Sequence, residues 1–372
     1  MMDPIVNFFV RLFQWIGRGI GLVIGVILWP FMWLGQWYLH RGWILKLVVG
    51  AFLVGLVALY AMFAWNTQIW TNFNPAYAEA YTFAPPQSGE QVTDEGSEGQ
   101  VKTCTTSAIV QVTADLIDFN VNQNAWISST IAYKMGLFGV DWDHTPWFDN
   151  KAAFQRGIHQ GIRRTAVELV DTLGRVRGTS QIDQNLQDAR GAVEFDEETW
   201  YFGLRPFGPK TPSPSFYRTG ITSLRAYNDR LLKCEVVFNA RADNLERFID
   251  RIASDIGSTS DIISRQSQTN NTGWFDPRAD DRFWFAYGQL YAYYGILHAT
   301  RHDFAAVIEN RGLGPLWDQL DAQFKAVLRI QPLIISNGRE DGWIMPSHLT
   351  TIGFYLLRVR TNLVEMRAVL DR

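Results

Sequence analysis

The chain has 372 residues, a formal net charge of −3 and only two cysteines, Cys104 and Cys234. That length holds a membrane anchor plus one large or two small domains. The charge gives no electrostatic case for nucleic-acid binding, and two cysteines exclude a disulfide framework or a structural zinc site.

Aromatic residues make up 14% of the chain, and seven of its 15 tryptophans lie within the first 70 residues. That skew is what a membrane boundary selects. Residues 1–42 read as a cytoplasmic or interfacial amphipathic segment. Gly19 to Gly35 is uncharged and about long enough for a short span. Pro30 in its interior, Gly17, Gly19, Gly21 and Gly25, and the upstream Arg11 and Arg18 favour an interfacial or re-entrant segment over a helical hairpin.

Residues 43–65 are predicted to be a transmembrane helix. From Leu47 to Ala64 no residue is charged, and Trp43, Trp65 and Trp70 flank the run. At about 1.5 Å per residue it crosses a hydrocarbon core of roughly 30 Å. Arg11, Arg18, Arg41 and Lys46 precede it, and no Lys or Arg follows before Lys102. The positive-inside rule therefore puts the N-terminus in the cytoplasm and the main domain outside, which in a Gram-negative cell is the periplasm. The Ala76-Tyr77-Ala78 triplet lies too far past the apolar run for signal-peptide cleavage, so an uncleaved signal anchor is expected. Residues 66–101 read as a flexible acidic tether, with Phe73, Tyr77, Tyr81 and Phe83 lying against headgroups.

From residue 102 to 372 the apolar period is helical, and the expected fold class is all-α: one N-terminal transmembrane helix and a soluble multi-helix bundle. Ile109, Val112, Leu116 and Phe119 mark a first helix; Phe154, Ile158, Ile162, Ala166, Leu169, Leu173 and Val176 mark a second. Leu224, Tyr227, Leu231, Cys234 and Phe238 continue one face further on. Leu245, Phe248, Ile249, Ile252 and Ile256 follow, with Asp243 and Glu246 spaced as a capping box. Gly288, Ala292, Gly295 and Ala299 form a small-residue seam that admits a close neighbouring helix. A later helix opens at Gly314-Pro315 and buries Leu316, Trp317, Leu320, Phe324 and Val327. The last helix carries Leu349, Ile352, Leu356, Val359, Leu363, Met366 and Leu370 at alternating spacings of three and four. Tyr355, Leu357 and Val364 give it a second apolar side, which favours a buried bundle helix over an intermolecular coiled coil. Gly136–Asn150, Glu194–Tyr217 and Gln331–Pro346 are expected to be irregular, and the second of these, rich in Pro and aromatics, is a candidate binding loop.

Few residues point to chemistry. His298 and His302 stand four apart on a helix, as zinc ligands do, but Ala299 occupies the place of a catalytic glutamate. Their expected role is that of hydrogen-bonded core histidines rather than metal ligands. Asp141, Asp143 and His144 cluster in a loop and could support acid–base work, although a turn leading to a helix N-cap at Asp149 or Asn150 explains them as well. No cofactor motif is present. For the cysteines, an oxidising compartment favours a bridge closing a long loop, whereas Cys234 on an apolar stripe favours a buried thiol. The expectation falls on free thiols.

The layout resembles a family of uncharacterised proteobacterial inner-membrane proteins that share a domain of unknown function. The features are a Trp-rich N-terminus, one strong span, an acidic tether and a helical domain closing with a long Leu-rich helix. The resemblance implies a Gram-negative envelope setting and no activity. The expected function is a binding or scaffolding role in the cell envelope, with the lipid bilayer and other envelope proteins as partners. The alternatives are a membrane-tethered hydrolase using Asp141, Asp143 and His144, and an accessory subunit of a membrane complex.

Overall fold

A helix that carries large apolar side chains on all sides lies in a protein core or a membrane, and the stretch Phe283 to Leu297 of the helix Ala279–Asp303 does so. In a computed structural model, which describes residues 3–83, 104–142, 145–175, 182–269, 276, 278–339 and 346–372, its Phe283, Tyr287, Leu290, Tyr291, Tyr293 and Ile296 are all buried. The chain divides into two units, Met1–Met62 and Phe63–Arg372.

The first unit contains α1 (Asp3–Leu39) and most of α2 (Trp43–Gln68). The glycine-rich stretch expected to lie at the interface or to re-enter the membrane is part of one continuous helix that runs through Pro30. Gly17–Leu39 and Trp43–Gln68 are each long and apolar enough to cross a membrane by length and composition. Leu22, Val26, Phe52, Val54 and Val57 are exposed, as side chains facing lipid would be.

The second unit is a helical bundle, as the apolar periods predict. In chain order it contains α3 (Ala108–Asp118), the short α4 (Ile131–Met135), α5 (Asn150–Glu168) and α6 (Gln184–Val193). Then come α7 (Ser213–Leu232), α8 (Ala242–Thr269), α9 (Ala279–Asp303), α10 (Ala305–Asn310), α11 (Gly314–Leu328) and α12 (His348–Leu370). The most extensive helix contacts are α5 on α9 and α8 on α12. The small-residue seam explains the first pair. A Cβ at Gly288 would collide with the Phe154 carbonyl of α5, and one at Gly157 with the Phe285 carbonyl of α9. Only glycine lets the two backbones approach so closely. On α12 every residue of the three-four seam from Leu349 to Leu370 is buried. Its second side behaves differently: Phe354, Leu357 and Val364 are exposed and only Tyr355 is half-buried. The loop Glu194–Tyr217, expected to be irregular, contains a small antiparallel hairpin of β1 (Phe202–Leu204) and β2 (Phe207–Pro209).

Two expectations need correction. The first is the tether. Trp70, Phe73, Tyr77, Tyr81 and Phe83 pack against the bundle core instead of lying on headgroups, and residues 84–101 fall outside the described residues. The second concerns the thiols. Cys104 and Cys234 form a disulfide, with Cα atoms 5.5 Å apart. Cys234 is not on a buried stripe, because α7 stops at Leu232 and Cys234 is exposed in a left-handed conformation with φ 62°. The apolar period carries on past the point where the helix ends.

Candidate functional site

Leaving α2, the chain sets an aromatic residue on the bundle every three or four positions. Trp70 stacks on Phe154 of α5 with ring centroids 4.9 Å apart and meets Trp284 of α9 edge-on at 5.0 Å. Phe73 stacks on Tyr291 at 5.8 Å, and Tyr77 stacks on Tyr291 at 4.2 Å. The Tyr77 hydroxyl donates to the Tyr291 carbonyl at 2.8 Å and occupies the space left by Gly295, where a Cβ would collide with it. The start of this segment is fixed by Lys151, which is 3% exposed. Its ammonium donates to the carbonyls of Asn66 and Ile69, 2.8 and 2.7 Å away, and so closes the C-terminal end of α2. Burial pulls the Lys151 pKa down to about 8.

Between this segment and α3 lies a cavity of about 280 Å³. Its lining combines the apolar surfaces of Tyr291, Phe119 and Leu116 with the polar groups of Tyr81, Asp115, Asn72 and Gln123. The Tyr81 hydroxyl donates to Asp115 at 3.2 Å, and Arg225 stands 3.5 Å from the other carboxylate oxygen. Burial raises the Asp115 carboxyl above its ordinary value, against the opposing pull of Tyr81 and Arg225. Burial, and then the Asp115 charge, raise the Tyr81 phenol well above its ordinary value. A partly aromatic lining that also offers a carboxylate, a phenol and two amides suits an apolar body carrying polar groups, and the volume is at the lower edge of small-molecule sites. Sequence reasoning missed this site. The available signal was the helical spacing of Trp70, Phe73, Tyr77 and Tyr81, which marks a segment seated on a packed face.

His298 and His302 flank Phe83, with ring centroids 5.9 and 5.0 Å from it. Burial lowers the His298 pKa. The neighbouring Asp303 receives the Ser107 hydroxyl at 2.7 Å and the amides of Ala108 and Ile109 at 2.9 and 3.0 Å, so it caps α3 from another helix. Among the described residues no group of three or more His, Cys, Asp or Glu is placed to hold a metal ion. Asp141 is exposed, while Asp143 and His144 lie outside the described residues.

A second polar cluster was also missed. Asp255 of α8 is buried among three helices, where it accepts from Gln289 and Tyr293, both at 2.6 Å, and from Gln160 at 2.8 Å. Arg164 completes the set at 3.2 Å. A buried carboxylate with this many donors fixes the relative register of α5, α8 and α9.

Two stretches of the chain, residues 42–272 and 263–372, match one family model, described as an uncharacterized protein conserved in bacteria (DUF2333). The chain belongs to this family. The DUF2333 match begins one residue before α2, so the family's region takes in α2 as well as the bundle. No curated protein and no solved structure gave a significant match.

Proposed function

We propose that this DUF2333 protein is a membrane-anchored envelope protein whose helical unit acts by binding another envelope component. In this reading α2 is the uncleaved anchor, the N-terminus is cytoplasmic and the helical unit is periplasmic. A span formed by α1 as well would leave the helical unit on the same side, because Arg41 and Lys46 stay inside. The observation that carries the reading is how the chain leaves α2: from Trp70 to Phe83 its aromatic side chains pack against the bundle core, and residues of that same stretch line the Tyr81–Asp115 cavity. The Cys104–Cys234 disulfide supports an oxidising compartment.

A photo-crosslinking residue at Gln123, in the full chain in living cells, tests the binding role. The expected result is a discrete adduct that disappears when Ala80, an exposed lining residue, is replaced by Trp to fill the cavity. An adduct unaffected by Ala80→Trp, or no adduct at all, would contradict a binding role for this cavity.

A further inference from the structure

Beside Phe63 near the end of α2, residues 135–142 form an apolar finger, with Trp147 next to its base. α4 ends at Met135, Gly136 turns the chain at φ 60°, and Leu137 and Val140 then pair across an antiparallel bridge. The Leu137 amide donates to the Val140 carbonyl at 2.8 Å, and the Val140 amide donates back at 3.2 Å. Phe138 and Gly139 make the two-residue turn, at φ 54° and 92°. Asn-Gly is the dipeptide such a turn favours, and a bulky aromatic at positive φ is strained. The strained Phe138 is nonetheless 79% exposed, and Leu137, Val140 and Trp147 are about half exposed. Turn chemistry does not account for exposed apolar side chains held at a conformational cost.

The base of the finger touches the end of α2. The Trp142 and Phe148 rings lie 4.7 and 6.3 Å from Phe63, and the Gln68 amide donates to the Trp147 carbonyl at 3.0 Å. Phe63 belongs to the uncharged run that ends at Ala64. A loop seated on Phe63 is therefore held at the depth where that run meets the headgroups.

We propose that this finger inserts into the headgroup–acyl boundary of the bilayer that α2 crosses, with Phe138 at its tip and Trp147 at the level of the headgroups. The inference rests on the membrane-anchored reading above. Lipid is the occupant the geometry favours, because the same chain fixes the finger beside the end of the apolar helix, and exposed aromatic and aliphatic side chains with a flanking tryptophan are what a bilayer interface accepts. Insertion also gives the strained turn a physical reason: the backbone cost at Phe138 is offset by transfer of its ring out of water.

The test uses the full chain in vesicles of phosphatidylethanolamine and phosphatidylglycerol. Since Cys104 and Cys234 are paired, one added cysteine can be labelled with an environment-sensitive fluorophore. The reporters are Val140→Cys on the finger and Val57→Cys on α2. Lipids with a nitroxide near the headgroup should quench the Val140 label, while aqueous iodide should quench it poorly; lipids with a deep nitroxide should quench the Val57 label. Adding Phe138→Asn, which suits the turn better, should weaken lipid quenching at Val140 at least about twofold while the melting temperature holds or rises. If Val57 is reached by nitroxide and Val140 only by iodide, the finger proposal falls and the anchor stands. If nitroxide lipids reach neither label, both fall. A Val140 label shielded from lipid and iodide alike would show a protein cover and overturn the lipid assignment, as would full lipid quenching in the Phe138→Asn protein.

Discussion

Removing the Cys104–Cys234 bridge gives a stability change that can be worked out from the structure. The two residues are 130 positions apart, and closing a loop of that length restricts the unfolded chain by up to about 5 kcal/mol in the chain-entropy description. The folded state has other ties at the same place. The Ser107 amide donates to Asn228 of α7 at 2.9 Å, Asn228 donates back to the Ser107 carbonyl at 3.0 Å, and Asp303 caps α3. Cutting the bridge should therefore leave the helical content unchanged and act through the unfolded state. For a unit of this size, about 5 kcal/mol corresponds to a melting temperature lower by about 8 °C. The assay is thermal unfolding by circular dichroism of Cys104→Ser/Cys234→Ser against the parent, with and without reductant, in detergent. Thiol alkylation of denatured, unreduced protein followed by mass spectrometry should label neither cysteine in the parent. Two labelled cysteines, or a parent melt that ignores reductant, would refute the reasoning.

Two further substitutions probe the core. Leu363→Asp places a charge on the fully buried seam of α12 and should cost several kcal/mol, read as a large loss of melting temperature or of soluble expression; wild-type melting would mean that face is not buried. His159 is buried with its Nε2 2.8 Å from the Val193 carbonyl, and burial pulls its pKa from 6.5 down to about 3. The unfolded chain then binds the extra proton below its own pKa, so the stability His159 contributes is complete above about pH 6.5 and is lost as pH falls towards about 3, a loss of about 2 kcal/mol by about pH 5. Burial raises the pKa of Asp115, Glu168 and Glu197, which shifts stability in the opposite sense, so the measurement is the difference between the parent and His159→Gln in denaturant melts at the two pH values. A difference that does not change with pH would contradict a neutral buried imidazole.

The helices were legible wherever one face is buried along their whole length. The α12 seam from Leu349 to Leu370 and the face from Phe154 to Leu173, carried by α5 and the helical turn that follows it, lie where their periods put them. The glycine seam of α9 also read correctly, because Gly288 has no other reason to interrupt a run of aromatics. What failed has a physical cause in each case. Trp70, Phe73, Tyr77 and Tyr81 follow an apolar span, and aromatic residues there have the same composition whether they meet headgroups or a protein core. Cys234 keeps the apolar period of α7, but a helix stop at Leu232 is set by the αL turn and the disulfide, which periodicity does not record. Asp255 interrupts the buried face of Phe248, Ile252 and Ile256, and its partners Gln289 and Tyr293 stand four apart on α9. An acid on an apolar face, matched by two donors on another helix, was the signal for that cluster. The Tyr81–Asp115 cavity needs two segments separated by a stretch of polar chain, and no local pattern brings them together.

The sidedness of the helical unit tests the anchored, binding-protein reading most directly. The experiment fuses two reporters in turn after Arg372 of the full chain in a Gram-negative cell: one that is active only in the periplasm and one that is active only in the cytoplasm. The account predicts that the periplasmic reporter is active and the cytoplasmic one silent. An active cytoplasmic reporter with a silent periplasmic one would contradict it.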